Sequence, residues 1–105
     1  MIDIGITLKK TGLPVSYKAF LKPIGAPFLT YIGSGQERFE ADNKVYHRKN
    51  TYQVQLYFKD KDPALEDNLE NTLIADEWMI ADKSPDTSLD SQDINVIYYE
   101  VWRIR

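Results

Sequence analysis

The sequence predicts an α+β fold: a single small domain, mainly an antiparallel sheet, with a helix over about residues 63–75 and a short N-terminal helix packed on one face. Three stretches predict it. The segment N-T-Y-Q-V-Q-L-Y-F at 50–58 alternates strictly. Tyr52, Val54, Leu56 and Phe58 fall on one side and Thr51, Gln53, Gln55 and Tyr57 on the other, which is the period of a half-buried strand. Directly after it, Asp62-Pro63 opens a helix, and Leu65, Leu69 and Leu73 recur at i, i+4 and i+8 with Ile74 beside them. Such a stripe covers the apolar face of a sheet. The chain closes on I-N-V-I-Y-Y-E-V-W-R-I at 94–104, a second long strand pattern.

The remaining elements follow in chain order. In residues 2–10, Ile2, Ile4, Ile6 and Leu8 alternate like a strand, but Asp3 suits an N-cap. Lys9 and Lys10 before Thr11-Gly12 suit a helix end with a C-terminal glycine, so a short helix is favoured. Ile4 and Leu8 then share one face. Pro14 keeps Leu13 extended, and Val15 to Phe20 reads as a strand. Pro23, Gly25 and Pro27 mark a loop before a second strand at Phe28–Ile32, which Gly33-Ser34-Gly35 would end as a turn. Residues 36–49 are polar, with a turn expected at Asp42-Asn43 and room for a short strand at Val45–Arg48. This stretch reads as a long loop, and loops of such length are often functional. Asp62 is the N-cap and Pro63 the first residue of the 63–75 helix, with Glu66, Asp67 and Glu70 favourable toward its N-terminal end. Trp78 to Ala81 is expected as a further core strand, and 84–93 as a polar loop.

The length of 105 residues allows one domain, and a chain of this size buries roughly 60–70% of its unfolded surface. The absence of cysteine excludes disulfides and thiolate metal sites. A net charge of −3 supplies no broad basic field for nucleic acid. The apolar runs fall far short of the ~20 residues that span a bilayer, and the charges of the N-terminus lie on the wrong side of its apolar part for a secretory signal. A protein that stays inside the cell that makes it is therefore expected.

Little in the sequence points to chemistry. His47, the single histidine, stands between Tyr46 and Arg48 with no nucleophile or orienting carboxylate nearby in sequence. It reads as a surface side chain. Gly33-Ser34-Gly35 lacks the remainder of a phosphate loop. Asp60, Asp62, Glu66, Asp67 and Glu70 lack the spacing of a calcium loop and read as a solvated helix start, as Asp82, Asp86, Asp90 and Asp93 read as a solvated loop. No catalytic, cofactor-binding or metal-ligating residue is expected, and hence no cofactor and no enzyme. The informative surplus is aromatic: seven Tyr and two Trp are many for so small a core. Together with the basic Arg38, Lys44, Arg48 and Lys49, they suggest a protein-contact surface. The candidate contact residues are Arg38, Phe39, Tyr46, Arg48, Tyr57, Tyr99 and Trp102.

Three phrases, T-G-L-P-V-S-Y at 11–17, P-F-L-T-Y-I-G-S-G-Q-E-R-F-E-A-D-N-K-V-Y at 27–46 and Y-Q-V-Q-L-Y-F-K-D-K-D-P-A-L-E at 52–66, are followed by a C-terminal Y-Y-E. In this order they resemble the tail-completion or head–tail joining (tail terminator-like) proteins of siphophages and prophages of Gram-positive bacteria. The likeness covers most of the chain. It departs at the alternating isoleucines of the N-terminus and the polar connection 84–93. The resemblance implies a structural virion protein, present in the host cytoplasm during assembly. It implies a homo-oligomeric ring, commonly a hexamer, whose partners are the phage tail-tube protein and head-connector proteins. Neither a membrane nor specific nucleic-acid binding is implied, although DNA would pass through the ring. Residues 33–49 and the second face of strand 94–104 are the expected contacts. The alternatives are a head-closure or connector component, and a small non-enzymatic protein-binding module.

Overall fold

The computed structural model describes residues 3–20, 24–41, 44–89 and 94–104, with the side chains of 34–49 and of Ile104 outside that description. Six strands form one sheet with the order β1-β2-β3-β6-β4, and β5 also pairs with β6. In chain order the elements are α1 (Ile4–Lys9), β1 (Val15–Tyr17), β2 (Phe28–Ala41), β3 (Lys44–Phe58), α2 (Pro63–Ala75), β4 (Met79–Lys83), β5 (Thr87–Leu89) and β6 (Ile94–Ile104). The expected α+β class, the mainly antiparallel sheet and both helices are present. Only the β1–β2 pair is parallel among the described strands.

Local chemistry sets the helix ends. Asp3 Oδ1 accepts from the Gly5 N–H at 2.8 Å, and Asp62 Oδ1 from the Ala64 N–H at 3.0 Å with Pro63 following at the first position. Each cap satisfies an N–H that the helix cannot. Beyond α1, Gly12 adopts φ +85°, a conformation that a β-carbon would penalise. Gly5 answers a different demand: a β-carbon there would stand 2.7 Å from Tyr31 Oη. Neither helix among the described residues is long and apolar enough to cross a membrane.

Strand β3 is the spine. It pairs with β2 over Phe28↔Tyr57 to Ala41↔Lys44 and with β6 over Lys49↔Ile104 to Phe58↔Asn95. Register brings Leu29, Leu56 and Ile97, and also Val54 and Tyr99, side by side on one face. That face is the core. Ile4 and Leu8 of α1 and Leu69 and Leu73 of α2 bury themselves against it, with Phe58, Trp78 and Val101. Ile74 is 61% exposed although it adjoins the stripe. At 100° per residue it lies about a quarter turn from the direction in which Glu66, Leu69 and Leu73 point inward.

Several local expectations need correction. Gly33-Ser34-Gly35 does not end β2. The strand runs through it, and the register shifts between Gly33 and Gly35, so the glycines absorb a bulge instead of a turn. The expected long loop at 33–49 is therefore two paired strands, which also take in Val45–Arg48. The expected turn at Asp42-Asn43 lies outside the described residues. Residues 79–83 form an edge strand and not a core strand. Among the described strands β6 is their single neighbour, and Met79 is exposed while Trp78 and Ile80 turn inward. The connection 84–93 holds β5; Asp90 and Asp93 lie outside the described residues.

The acidic helix start is only partly solvated. Glu66 is 8% exposed and takes two ammonium groups, Lys61 at 2.7 Å and Lys83 at 3.0 Å. Lys83 also reaches Glu70 at 2.8 Å, and Lys61 reaches Asp86 at 3.0 Å. Burial alone would push the Glu66 carboxyl up, but hydrogen bonds from Lys61 and Lys83, with their charges, outweigh it and hold the group below its ordinary value. A carboxyl depressed in the folded state adds stability above its unfolded pKa, and that stability is lost as pH falls through the folded value. Acid titration of unfolding free energy from about pH 6 downward should therefore show a fall from roughly pH 4. Glu66→Gln should flatten it. An unchanged slope in Glu66→Gln would mean that other carboxylates carry the acid sensitivity.

Candidate interaction surfaces

Two surfaces of the sheet lie outside the helix-covered core. The first is its second face. Alternation places Phe28, Thr30 and Ile32 of β2 there, with Thr51, Gln53, Gln55 and Tyr57 of β3, Val96, Tyr98, Glu100 and Trp102 of β6, and Met79 of β4, although Thr30 and Val96 are themselves buried among their neighbours. Neither helix packs on this side. At one end the Phe28 and Tyr57 rings stack at 4.6 Å with 17° between their planes, and Phe20 meets Phe28 edge-on at 5.4 Å. A polar track crosses the middle. Thr30 Oγ1 and Tyr57 Oη both donate to Gln55 Oε1, and Gln55 Nε2 donates to Gln53 Oε1 at 3.0 Å. At the other end Trp102, half-buried, stands in register with Thr51 and Met79, and Met79 is 54% exposed. An amphipathic face with an aromatic platform and a flexible methionine has the composition of protein-contact surfaces.

The second surface is the far part of the β2–β3 hairpin. β1 pairs with β2 only at Leu29–Tyr31, and β6 stops pairing with β3 at Lys49. Residues Gln36–Ala41 and Lys44–Arg48 are thus paired only with one another among the described strands. Their outer backbone edges are open to a further strand. A second register shift, between Phe39 and Glu40, bends this ribbon.

The expected contact residues divide between these surfaces and the core. Arg38 and Phe39 on β2 and Tyr46 and Arg48 on β3 belong by backbone to the ribbon, where Arg38 stands opposite Arg48 and Phe39 opposite His47. Their side chains, and that of His47, lie outside the described residues. Tyr57 and Trp102 share the second face but stand six positions apart along the β3–β6 ladder, roughly 20 Å at the rise of a strand. Tyr99 must be removed from the set. It is 0% exposed within the protomer, and its hydroxyl donates to Glu70 Oε2 at 2.9 Å. Burial, and then that hydrogen bond, push the phenol well above its ordinary pKa. The reason is geometric: three residues apart on one strand, Tyr99 and Trp102 point to opposite faces.

Sequence reasoning missed Met79, Phe28 and the Thr30–Gln55–Gln53 track as parts of one face. Their alternation was visible, but the pairing that aligns three strands is not local. Among the described residues no three histidine or carboxylate side chains converge as a metal site would require. No protein-family model matches the chain, and no curated protein matches it.

Proposed function

We propose that this protein is a structural virion component of a phage or prophage. It would complete the tail, or join tail to head, by assembling into a ring without catalysing a reaction. One observation carries the reading: a small chain presents two unlike surfaces, an amphipathic sheet face and a two-stranded ribbon that runs past the sheet. A closed ring is built from heterologous contacts, in which one patch of a subunit meets a different patch of the next. The ribbon supports this further. Two-stranded hairpins are marginal in water on their own, so an element of this kind gains from contact with another chain. The quoted phrases at 11–17, 27–46 and 52–66 point the same way by resemblance. On this reading the partners are further copies of the chain, terminal tail-tube subunits and the neck, and the protein resides in the virion after assembly in the host cytoplasm.

Light scattering across a concentration range, with electron microscopy of any large species, tests the proposal. The expected result is a closed ring of defined subunit number, alone or on tail tubes. Met79→Lys, placed on the exposed side of the sheet, should lower the assembled fraction and leave the thermal unfolding of the monomer unchanged. A protein that stays monomeric at high concentration and does not cap tail tubes would overturn the ring.

A further inference from the structure

The free edge of the sheet at β1 carries an inference of its own, separate from the ring. β1 is the terminal strand of the sheet. Its ladder to β2 is bracketed by two bonds, the Leu29 N–H to the Pro14 carbonyl and the Lys18 N–H to the Tyr31 carbonyl, both 2.8 Å. Alternation along a parallel ladder then turns the backbone groups of Ser16 toward β2 and those of Val15 and Tyr17 outward. Of these outward groups the Tyr17 carbonyl accepts from the Ala19 N–H at 2.8 Å, in a tight turn that holds Lys18 at φ +66°. The Val15 N–H, the Val15 carbonyl and the Tyr17 N–H form no bond within the described structure. Three backbone groups on two alternate residues, Val15 and Tyr17, therefore face outward without a partner among the described residues.

Beside this edge lies a cavity of about 350 Å³, lined by Asp3, Gly5, Ile6 and Lys9 of the α1 region, Val15–Tyr17 of β1, and Tyr31 of β2. Its volume is in the range of ligand sites, roughly 300–1,000 Å³. Ile6 is 55% and Tyr17 50% exposed, so two of the large apolar side chains left in water converge here. Tyr17 and Tyr31 meet edge-on at 5.2 Å. Because Gly5 has no side chain, the Tyr31 ring lies against α1 and floors the cavity. Lys9 lines the same space and forms no ion pair with described residues, and Lys18 sits over the Tyr17 ring at 5.6 Å. An open strand edge running beside a helix, with a pocket between them that joins the apolar Ile6 and Tyr17 to the polar Asp3, Lys9 and Ser16, is the layout by which sheets capture extended peptides: main-chain bonds give affinity and the pocket selects a side chain.

We propose that β1 and α1 form a binding groove for an extended peptide segment of another protein. The segment would add as a strand on the Val15–Tyr17 edge, place an apolar side chain between Ile6 and Tyr17, and set an acidic residue against Lys9. Lys9 in the lining, Lys18 held over the Tyr17 ring, and the exposed apolar pair Ile6 and Tyr17 define that chemistry. The probe is a synthetic peptide of about ten residues alternating Val and Glu, capped at both ends and added to ¹⁵N-labelled full-length protein. Expected are amide shifts confined to α1 and residues 15–18, with slowed exchange at Val15 and Tyr17. N-methylation of alternate peptide nitrogens should abolish them. Lys9→Glu, an exposed change that spares the core, should weaken binding about two- to fivefold, the size of a surface ion pair. Three results would overturn the proposal. One is no shift at these amides with peptide in millimolar excess. Another is equal shifts from the N-methylated peptide. The third is protection of Val15 and Tyr17 that rises with protein concentration without peptide, since a second copy would then occupy the groove. The first two results do not depend on whether the protein forms a ring; the third shows that the groove is a contact between copies and not a site for another protein.

Discussion

Leu56→Ala is expected to remove about 2–5 kcal/mol of folding free energy, the range for emptying a buried leucine site. Leu56 is fully buried at the centre of β3, with Leu29 beside it on one strand and Ile97 on the other. Above them lie Leu69 and Leu73 of α2 in the same core cluster. Three strands and a helix meet there, and the paired backbone of β3 prevents the sheet from closing on a void. The cost should therefore include the cavity as well as the lost transfer energy. Against a total stability of about 5–15 kcal/mol for a small domain, such a loss lowers the melting temperature by roughly 10 °C or more. Urea unfolding checks it: the midpoint should fall while the m-value stays constant. A loss below about 1 kcal/mol would mean that α2 does not pack over the centre of β3.

The same strand shows what sequence can reveal. Alternation from Tyr52 to Phe58 identifies the core face because each residue reports its own side. Asp62-Pro63 and the leucines at 65, 69 and 73 fix α2 for the same reason: caps and stripes are local. The errors arose where partners decide. Gly33-Ser34-Gly35 carries a turn's composition, but fifteen residues of β3 run antiparallel beside it and the ladder carries β2 through the glycines as a bulge. Tyr99 and Trp102 read alike as aromatic surplus on a strand with two apolar faces. Only the position of α2 decides that Tyr99 is core. Glu66 looked solvated because Lys83, which helps to pair it, comes from a strand seventeen positions further along the chain. The groove at β1 was not legible at all, since it requires a parallel pairing between β1 and β2 that no local pattern encodes.

The polar centre of the fold leads to the second large effect. Thr7, on the inner face of α1, is fully buried, and its hydroxyl donates to Asp76 Oδ2 at 2.8 Å and accepts from Trp78 Nε1 at 3.2 Å. Lys10 holds the same carboxylate at 2.9 Å, and Arg103 donates to the Asp76 carbonyl at 3.1 Å while its guanidinium lies 4.3 Å from the Trp78 ring centre. One hydroxyl thus joins α1 to the end of α2 and the start of β4. Thr7→Val keeps the shape but leaves the buried Trp78 N–H without its acceptor, and an unmet buried donor costs about 1–3 kcal/mol. The Lys10 ammonium first, and the Thr7 hydroxyl second, hold the Asp76 carboxyl below its ordinary pKa. In Thr7→Val that carboxyl should titrate at higher pH by NMR, while Lys10 keeps part of the depression. Trp78→Phe removes the orphaned donor, so Thr7→Val should cost less in that background than in the native one. If the two losses simply add, the hydroxyl and the indole are not coupled. The join between α1 and β4 would then rest on packing alone.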